Sequence, residues 1–176
     1  MVTKAEPNPS FILLRQGLAF VALFFLLQFG WQCLRGTSVE HAIIHYATVR
    51  PAAFLINLLT PDVHVQAVEF SLNAGGGGLN ILNGCEGMDA LVLLIAAFAV
   101  VPLSWSARGW GIFYGSCVVF AANQLRILIL FYVSRSDRSL FEQIHAIVAP
   151  IVVILIVSGY FYVWLVYIKG RDASPV

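Results

Sequence analysis

Four long apolar runs constrain this chain more than any other feature: Phe11 to Leu34, Met88 to Trp105, Trp110 to Val133 and Ile144 to Ile168. Each approaches the roughly 20 residues that an α-helix needs to cross about 30 Å of hydrocarbon, so each is read as a membrane-spanning helix. The composition agrees: 60% of the residues are hydrophobic, 11% are charged and the mean hydropathy is +0.86, a balance foreign to a water-soluble domain. The expected fold class is therefore an all-α polytopic membrane protein, one integral membrane domain over residues 1–176. The first run follows Lys4, as the core of a signal peptide follows its basic residue, but it is too long for a signal core. Gln28, Trp31, Gln32 and Cys33 also offer no small-residue cleavage site, so a retained helix is expected.

Residues 35–87 form an insert without an uninterrupted span. Val39 to Leu59 carries apolar residues at helical spacing (Ile43, Ile44, Ala47, Phe54, Leu58) broken by Arg50-Pro51, which predicts one or two interfacial helices or a partial dip into the bilayer. Val63 to Leu82 alternates instead and predicts a short β-hairpin with its tip at Gly75–Gly78. No Lys-Ser/Thr follows these glycines, as a phosphate cradle requires.

Charge sets the expected orientation. With the N-terminus cytoplasmic, Lys4, Arg15, Arg108, Lys169 and Arg171 lie inside, Arg35, Arg50, Arg135 and Arg138 outside, and Arg126 within a span. The bias is small, but Lys169 and Arg171 beside the last run point the same way, giving both termini inside. The insert, the head of the second run and the Ser134 to Gln143 loop then share the outer side.

Chemistry concentrates there. In LNGCEGMDA, Asn83 has the character of a helix N-cap and Glu86 stands at capping-box distance, which places Cys85 at about the second helical position. Free N–H groups and the helix dipole at that position favour thiolate, whereas Glu86 and Asp89 oppose it, so a cation is needed. Arg126, in AANQLRILILFY, is ionised inside an apolar run and needs a partner, with Asn123 three residues earlier on its face. His145 is expected in the first turn of the last span, behind a capping box of Ser139 and Glu142. Topology brings Cys85, Arg126 and His145 together at the outer side: a nucleophile, a cation for developing negative charge and an acid/base, the parts of acyl transfer.

Plainer roles compete with this. A cysteine in a membrane helix is ordinarily a small apolar residue, and Cys33 and Cys117 are read so. Asp89 and Glu142 are read as structural. Arg126 paired with Asp89 describes a non-enzymatic membrane subunit or transporter instead. His41 and His45 have metal-ligand spacing but no evident third ligand, so no metal and no cofactor are expected.

NGCEG ahead of an apolar run, NQLR within the next and a histidine heading the last together resemble the exosortase/archaeosortase family of membrane-embedded cysteine transpeptidases, over about Asn80 to Trp164. The short length is similar to compact H-type exosortases. Glu86 departs from the small or neutral polar residue expected there. The resemblance implies a catalytic core over residues 80–164 with Cys85 as nucleophile, His145 as general acid/base and Arg126 as stabiliser, supported by Asn83, Gly87, Asn123, Asp89 and Glu142. It implies membrane-anchored protein substrates with a C-terminal tripartite sorting signal, an acyl acceptor of lipid or glycan type, and a cytoplasmic membrane with the site on its outer face. Membrane lipids are expected partners, and nucleic acid is not.

The orientation has a direct check. A cysteine introduced by Asp172→Cys should be labelled only from the cytoplasmic side by an impermeant maleimide, and labelling from outside overturns the both-termini-inside topology.

Overall fold

The structure, a computed structural model, describes residues 9–75, 77–81 and 84–172. Helices dominate it: α1 (Pro9–Cys33), α2 (Ser38–Leu59), α3 (Met88–Val100), α4 (Trp105–Ser136) and α5 (Arg138–Arg171). All but α3 are long and apolar enough to cross a membrane.

Two helix boundaries differ from the sequence expectation. The run from Met88 to Trp105 yields a helix of only 13 residues, because Pro102 lacks an N–H and disfavours helical backbone in the residue before it. Val101 is accordingly extended, at φ −80° and ψ 137°. Ser104 then caps a new helix, its Oγ accepting from Ala107 N–H at 3.2 Å, so that α4 opens at Trp105, five residues before the apolar run that begins at Trp110.

Arg50-Pro51 was expected to break the insert's helix, yet α2 runs through it by way of a π-helical turn at His45–Val49. Pro51 cannot donate to the Ala47 carbonyl one turn earlier. Gln124 of α4 donates instead, its Nε2 lying 3.3 Å from Ala47 O and 3.5 Å from Thr48 O. A partner distant in sequence thus fills the gap that the proline leaves.

The expected hairpin is a three-stranded antiparallel sheet of β1 (Gln66–Val68), β2 (Ser71–Ala74) and β3 (Gly77–Asn80), in that order. Its first arm folds back at Glu69, which takes φ 48° and whose carbonyl accepts from His45 Nδ1–H at 2.9 Å. Ala67 then faces Leu72, and Leu72 faces Leu79. Gly77 and Gly78, expected at the tip, belong to β3; Gly76 lies outside the described residues.

Two apolar clusters result. One joins Ala90, Leu94 and Phe98 of α3 to Val119 of α4 and Val153 and Val157 of α5. The other is a cap in which Val49 and Ile56 of α2 and Leu72 and Leu79 of the sheet close over Ile127 and Phe131 of α4. α4 places fully buried residues in both, and α5 reaches the second through the partly buried Phe141 and Ile144. α1 packs on α3 and leaves Phe11, Leu18, Phe25 and Phe29 exposed, a face suited to hydrocarbon rather than water.

Close approach within the helical cluster depends on glycine. A Cβ at Gly115 of α4 falls 2.6 Å from Leu94 Cδ2 and 2.7 Å from the Tyr160 ring, between the two neighbouring helices. Gly115→Leu should therefore cost about 1–3 kcal/mol by overpacking and lower the thermal midpoint of the detergent-solubilised protein. Gly159→Leu, where an added Cβ meets nothing within 4 Å, should leave that midpoint close to the wild-type value.

Candidate active site

Two glycines shape the segment that carries the cysteine. Gly84 (φ 90°) and Gly87 (φ 80°) hold left-handed backbone on either side of Cys85 and Glu86, a conformation other residues adopt only with strain. Gly87 is also the N-cap of α3, where a Cβ would stand 2.9 Å from Asn123 Cγ. Cys85 therefore precedes α3 and does not sit at its second position, which corrects the expected placement. Asn83, the expected cap, lies outside the described residues. Glu86 folds back on its own loop and accepts from Gly84 N–H at 2.6 Å.

α4 grips the segment from one side. Asn123 and Arg126, three residues apart and both buried, face it together. Asn123 Nδ2 donates to the Cys85 carbonyl at 3.0 Å, and Arg126 Nη1 donates to the Gly84 carbonyl at 2.8 Å. Arg126 Nη2 points at the Cys85 sulfur, 3.7 Å away.

From the other side α1 supplies two anchors that sequence reading missed. Trp31 Nε1 donates to Glu86 Oε1 at 3.2 Å, and Gln28 Nε2 donates to Asp89 Oδ1 at 2.7 Å. The signal was a polar amide and an indole at i, i+3 in the C-terminal half of the first apolar run. Asp89 is thereby spoken for by Gln28, and it makes no ion pair with Arg126.

His145 comes from α5. The expected capping box of Ser139 and Glu142 does not form: Asp137 caps the helix, its Oδ1 accepting from Ser139 N–H at 2.8 Å and Leu140 N–H at 3.1 Å. The helix consequently starts earlier, and His145 lies about two turns in, within a π-helical turn at Ile144–Val148. Its Nδ1 is 3.4 Å from Cys85 Sγ and its Nε2 4.0 Å, with the Phe141 ring stacked on it at a centroid distance of 5.5 Å. Glu142 faces a different cavity and does not reach the sulfur.

Cys85, Arg126 and His145 thus meet, joined by Asn123 and Gly87. A cavity of about 310 Å³ opens beside them, walled by Gly84, Gly87, Asp89, Arg126, His145 and Pro150, while Cys85 itself is buried behind that wall. Cys33 and Cys117 are free and exposed. His41 and His45 stack on one another, and among the described residues no three His, Cys, Asp or Glu side chains group as a metal site requires.

Burial pushes the Cys85 thiol above its ordinary value; the Arg126 charge works against this and the Glu86 charge adds to it. The expected thiolate preference from a helix N-terminus is overturned, since the residue stands outside the helix and desolvation is the larger effect.

Compared with known protein families, curated proteins and solved structures, the chain finds no match.

The electrostatics predict opposite shifts. In a Cys33→Ala, Cys117→Ala background, Glu86→Gln removes a charge that raises the thiol and should move the pH midpoint of Cys85 alkylation by iodoacetamide downward, whereas Arg126→Gln should move it upward. Midpoints that stay put in both variants reject this account of the site.

Proposed function

We propose that the chain is a membrane-embedded cysteine transpeptidase, cleaving sorting signals of exported membrane-anchored proteins through an acyl-enzyme and passing the acyl group to an acceptor. The observation that carries this reading is the meeting of Cys85 Sγ with His145 Nδ1 at 3.4 Å and with Arg126 Nη2 at 3.7 Å, from three separate segments. The likeness of NGCEG and NQLR to the exosortase/archaeosortase pattern supports it from the sequence side.

The chemistry follows from the neutral starting state. His145 takes the thiol proton as sulfur attacks a peptide carbonyl, and Arg126 Nη2, already turned to the sulfur, balances the charge that moves from thiolate to oxyanion. Collapse expels the amine, which takes its proton from His145 and leaves a thioester. The acceptor then loses its proton to His145, attacks the thioester and releases Cys85 as thiol.

The reading also fixes how the bundle meets a bilayer. Along α4, Trp105 to Arg126 measures about 32 Å, close to the hydrocarbon thickness, so the site lies at one border of the membrane. α3 covers about 20 Å and the extended Val101–Ser104 about 13 Å more. The carbonyl of Val101 accepts from Arg108 Nη2 at 3.1 Å, which suits a segment ending at the opposite border. α2 packs on α4 between Gln124 and Tyr132, at and beyond the border marked by Arg126, and is assigned to the interface rather than to a further span. We assign the site to the outer face of a cytoplasmic membrane, with both termini inside.

Co-expression with an exported protein bearing a C-terminal tripartite signal tests the proposal. Cys85→Ala should abolish processing, and Cys85→Ser should nearly do so because a hydroxyl is far harder to deprotonate. His145→Ala should slow it by about 10²–10⁴-fold. Arg126→Lys should be severely impaired, because Nη1 and Nη2 serve two acceptors that one ammonium cannot reproduce. Processing of a verified substrate by Cys85→Ala at the wild-type rate, with all variants accumulating in the membrane, overturns the enzyme reading.

A further inference from the structure

A second cavity, of about 550 Å³, lies beyond the site and is lined by β3 from Gly77 to Asn80, by Ser134 and Arg135 at the end of α4, and by Arg138, Phe141 and Glu142 at the start of α5. Its two walls are the segments that deliver the nucleophile and the base. β3 leads toward Cys85, and Phe141 and Glu142 precede His145 by one turn of the same helix.

The strand wall carries unused backbone groups. In the antiparallel pairing of β2 with β3, Ile81 N–H donates to Phe70 O at 2.8 Å, so residues 77, 79 and 81 turn their N–H and C=O toward β2. Those of Gly78 and Asn80 turn the other way, into the cavity. The opposite edge of the sheet, β1, is packed on α2, whereas β3 packs on α4 and borders this groove along Gly77–Asn80. An open strand edge is a template for another strand.

The helical wall supplies charge. Arg135 is held in place by donating to Gly75 O at 3.2 Å and by lying 5.7 Å from the centre of the Phe131 ring. The Arg138 guanidinium has no hydrogen bond or ion pair among the described residues and is exposed. Two guanidinium groups face one carboxylate, Glu142, which leaves the groove a cationic excess.

We propose that this groove binds the substrate segment upstream of the scissile bond as a fourth strand on β3, with an acidic side chain of that segment on Arg138. The proposal rests on the transpeptidase reading for the identity of the occupant. The segment runs parallel to β3, because its C-terminal end has to reach Cys85. Main-chain bonds from Gly78 and Asn80 give affinity, and Arg138 with Arg135 gives the preference for acid. Phe141 sits at the junction of groove and site, stacked on His145, so an occupied groove also fixes the imidazole.

The test uses the full-length protein in nanodiscs and fluorescein-labelled nonapeptides of alternating valine and glutamate, valine and glutamine, or valine and lysine. A fourth probe is the glutamate peptide N-methylated at alternate residues, which keeps every side chain and removes strand pairing without altering the protein. Fluorescence anisotropy should show the glutamate peptide binding about tenfold or more tightly than the glutamine one, and the lysine peptide least. N-methylation should weaken binding by a similar factor, and Arg138→Gln should erase the preference for glutamate. Equal binding of all four probes, or a preference for glutamate that survives Arg138→Gln, overturns the proposal. Selective binding unaccompanied by processing of any exported protein leaves the groove in place and removes the transpeptidase reading. Processing that is indifferent to Arg138→Gln and to N-methylated competitor removes the groove and leaves the enzyme.

Discussion

A guanidinium buried among apolar helices has to be met by acceptors, and the placement of Arg126 decides how the segment from Gly84 to Gly87 is folded. An arginine at that depth costs several kcal/mol unless its fork is satisfied. The Gly84 carbonyl and the Cys85 sulfur meet two of its nitrogens, and Asn123 holds the Cys85 carbonyl one turn earlier on α4. Only left-handed backbone at Gly84 and Gly87 presents these groups to α4, and Gly87 lies so close to Asn123 that no side chain fits. The demand of one buried cation therefore explains both glycines and the position of the sulfur. Arg126 Nε is left without a partner, so the fork is committed to its two terminal nitrogens.

The opposite side of the loop is a counterweight. Glu86, buried beside the cysteine, takes its hydrogen bonds from Gly84 N–H and the Trp31 indole rather than from Arg126. Cys85 thus lies between a cation and an anion whose influences on its ionisation oppose one another. With the charges working against each other, burial decides, and the resting residue is a thiol beside an imidazole. α1 contributes little to either apolar cluster, yet its Trp31 and Gln28 hold the two carboxylates that flank the loop, which gives this otherwise lipid-like helix a local role.

The parts of this arrangement legible in the sequence were those that are costly in an apolar run. Arg126, Asn123 and His145 stand out because each needs a reason to be there, and Cys85 because it heads such a run. The positions of α1, α4 and α5 follow from the same apolar patterning, although α4 and α5 extend beyond the apolar runs at both ends. What was not legible depended on contacts across the fold. Whether Arg50-Pro51 ends a helix is decided by Gln124, more than seventy residues away, which satisfies the Ala47 carbonyl. The sheet gained a strand because Glu69 turns, and His45 from α2 holds that turn. The capping boxes were local readings of local patterns: at one site Asp137 caps the helix instead, and at the other the helix begins only after Gly87.

That second failure changes the chemistry more than the fold. A helix N-terminus offers an anion about 0.3–1 kcal/mol at an exposed position, whereas taking a thiolate out of water costs more. Moving Cys85 out of the first turn of α3 removes the smaller effect and leaves the larger. A thiolate held ready by a dipole would react with any electrophile that reached it. A buried thiol 3.4 Å from His145 and faced by Arg126 is different, because in the proposed reaction its proton leaves only as sulfur begins to bond and charge forms where the guanidinium can meet it. The glutamate at position 86, the feature least expected beside the proposed nucleophile, then has a consistent place: its charge adds to the burial that raises the resting thiol.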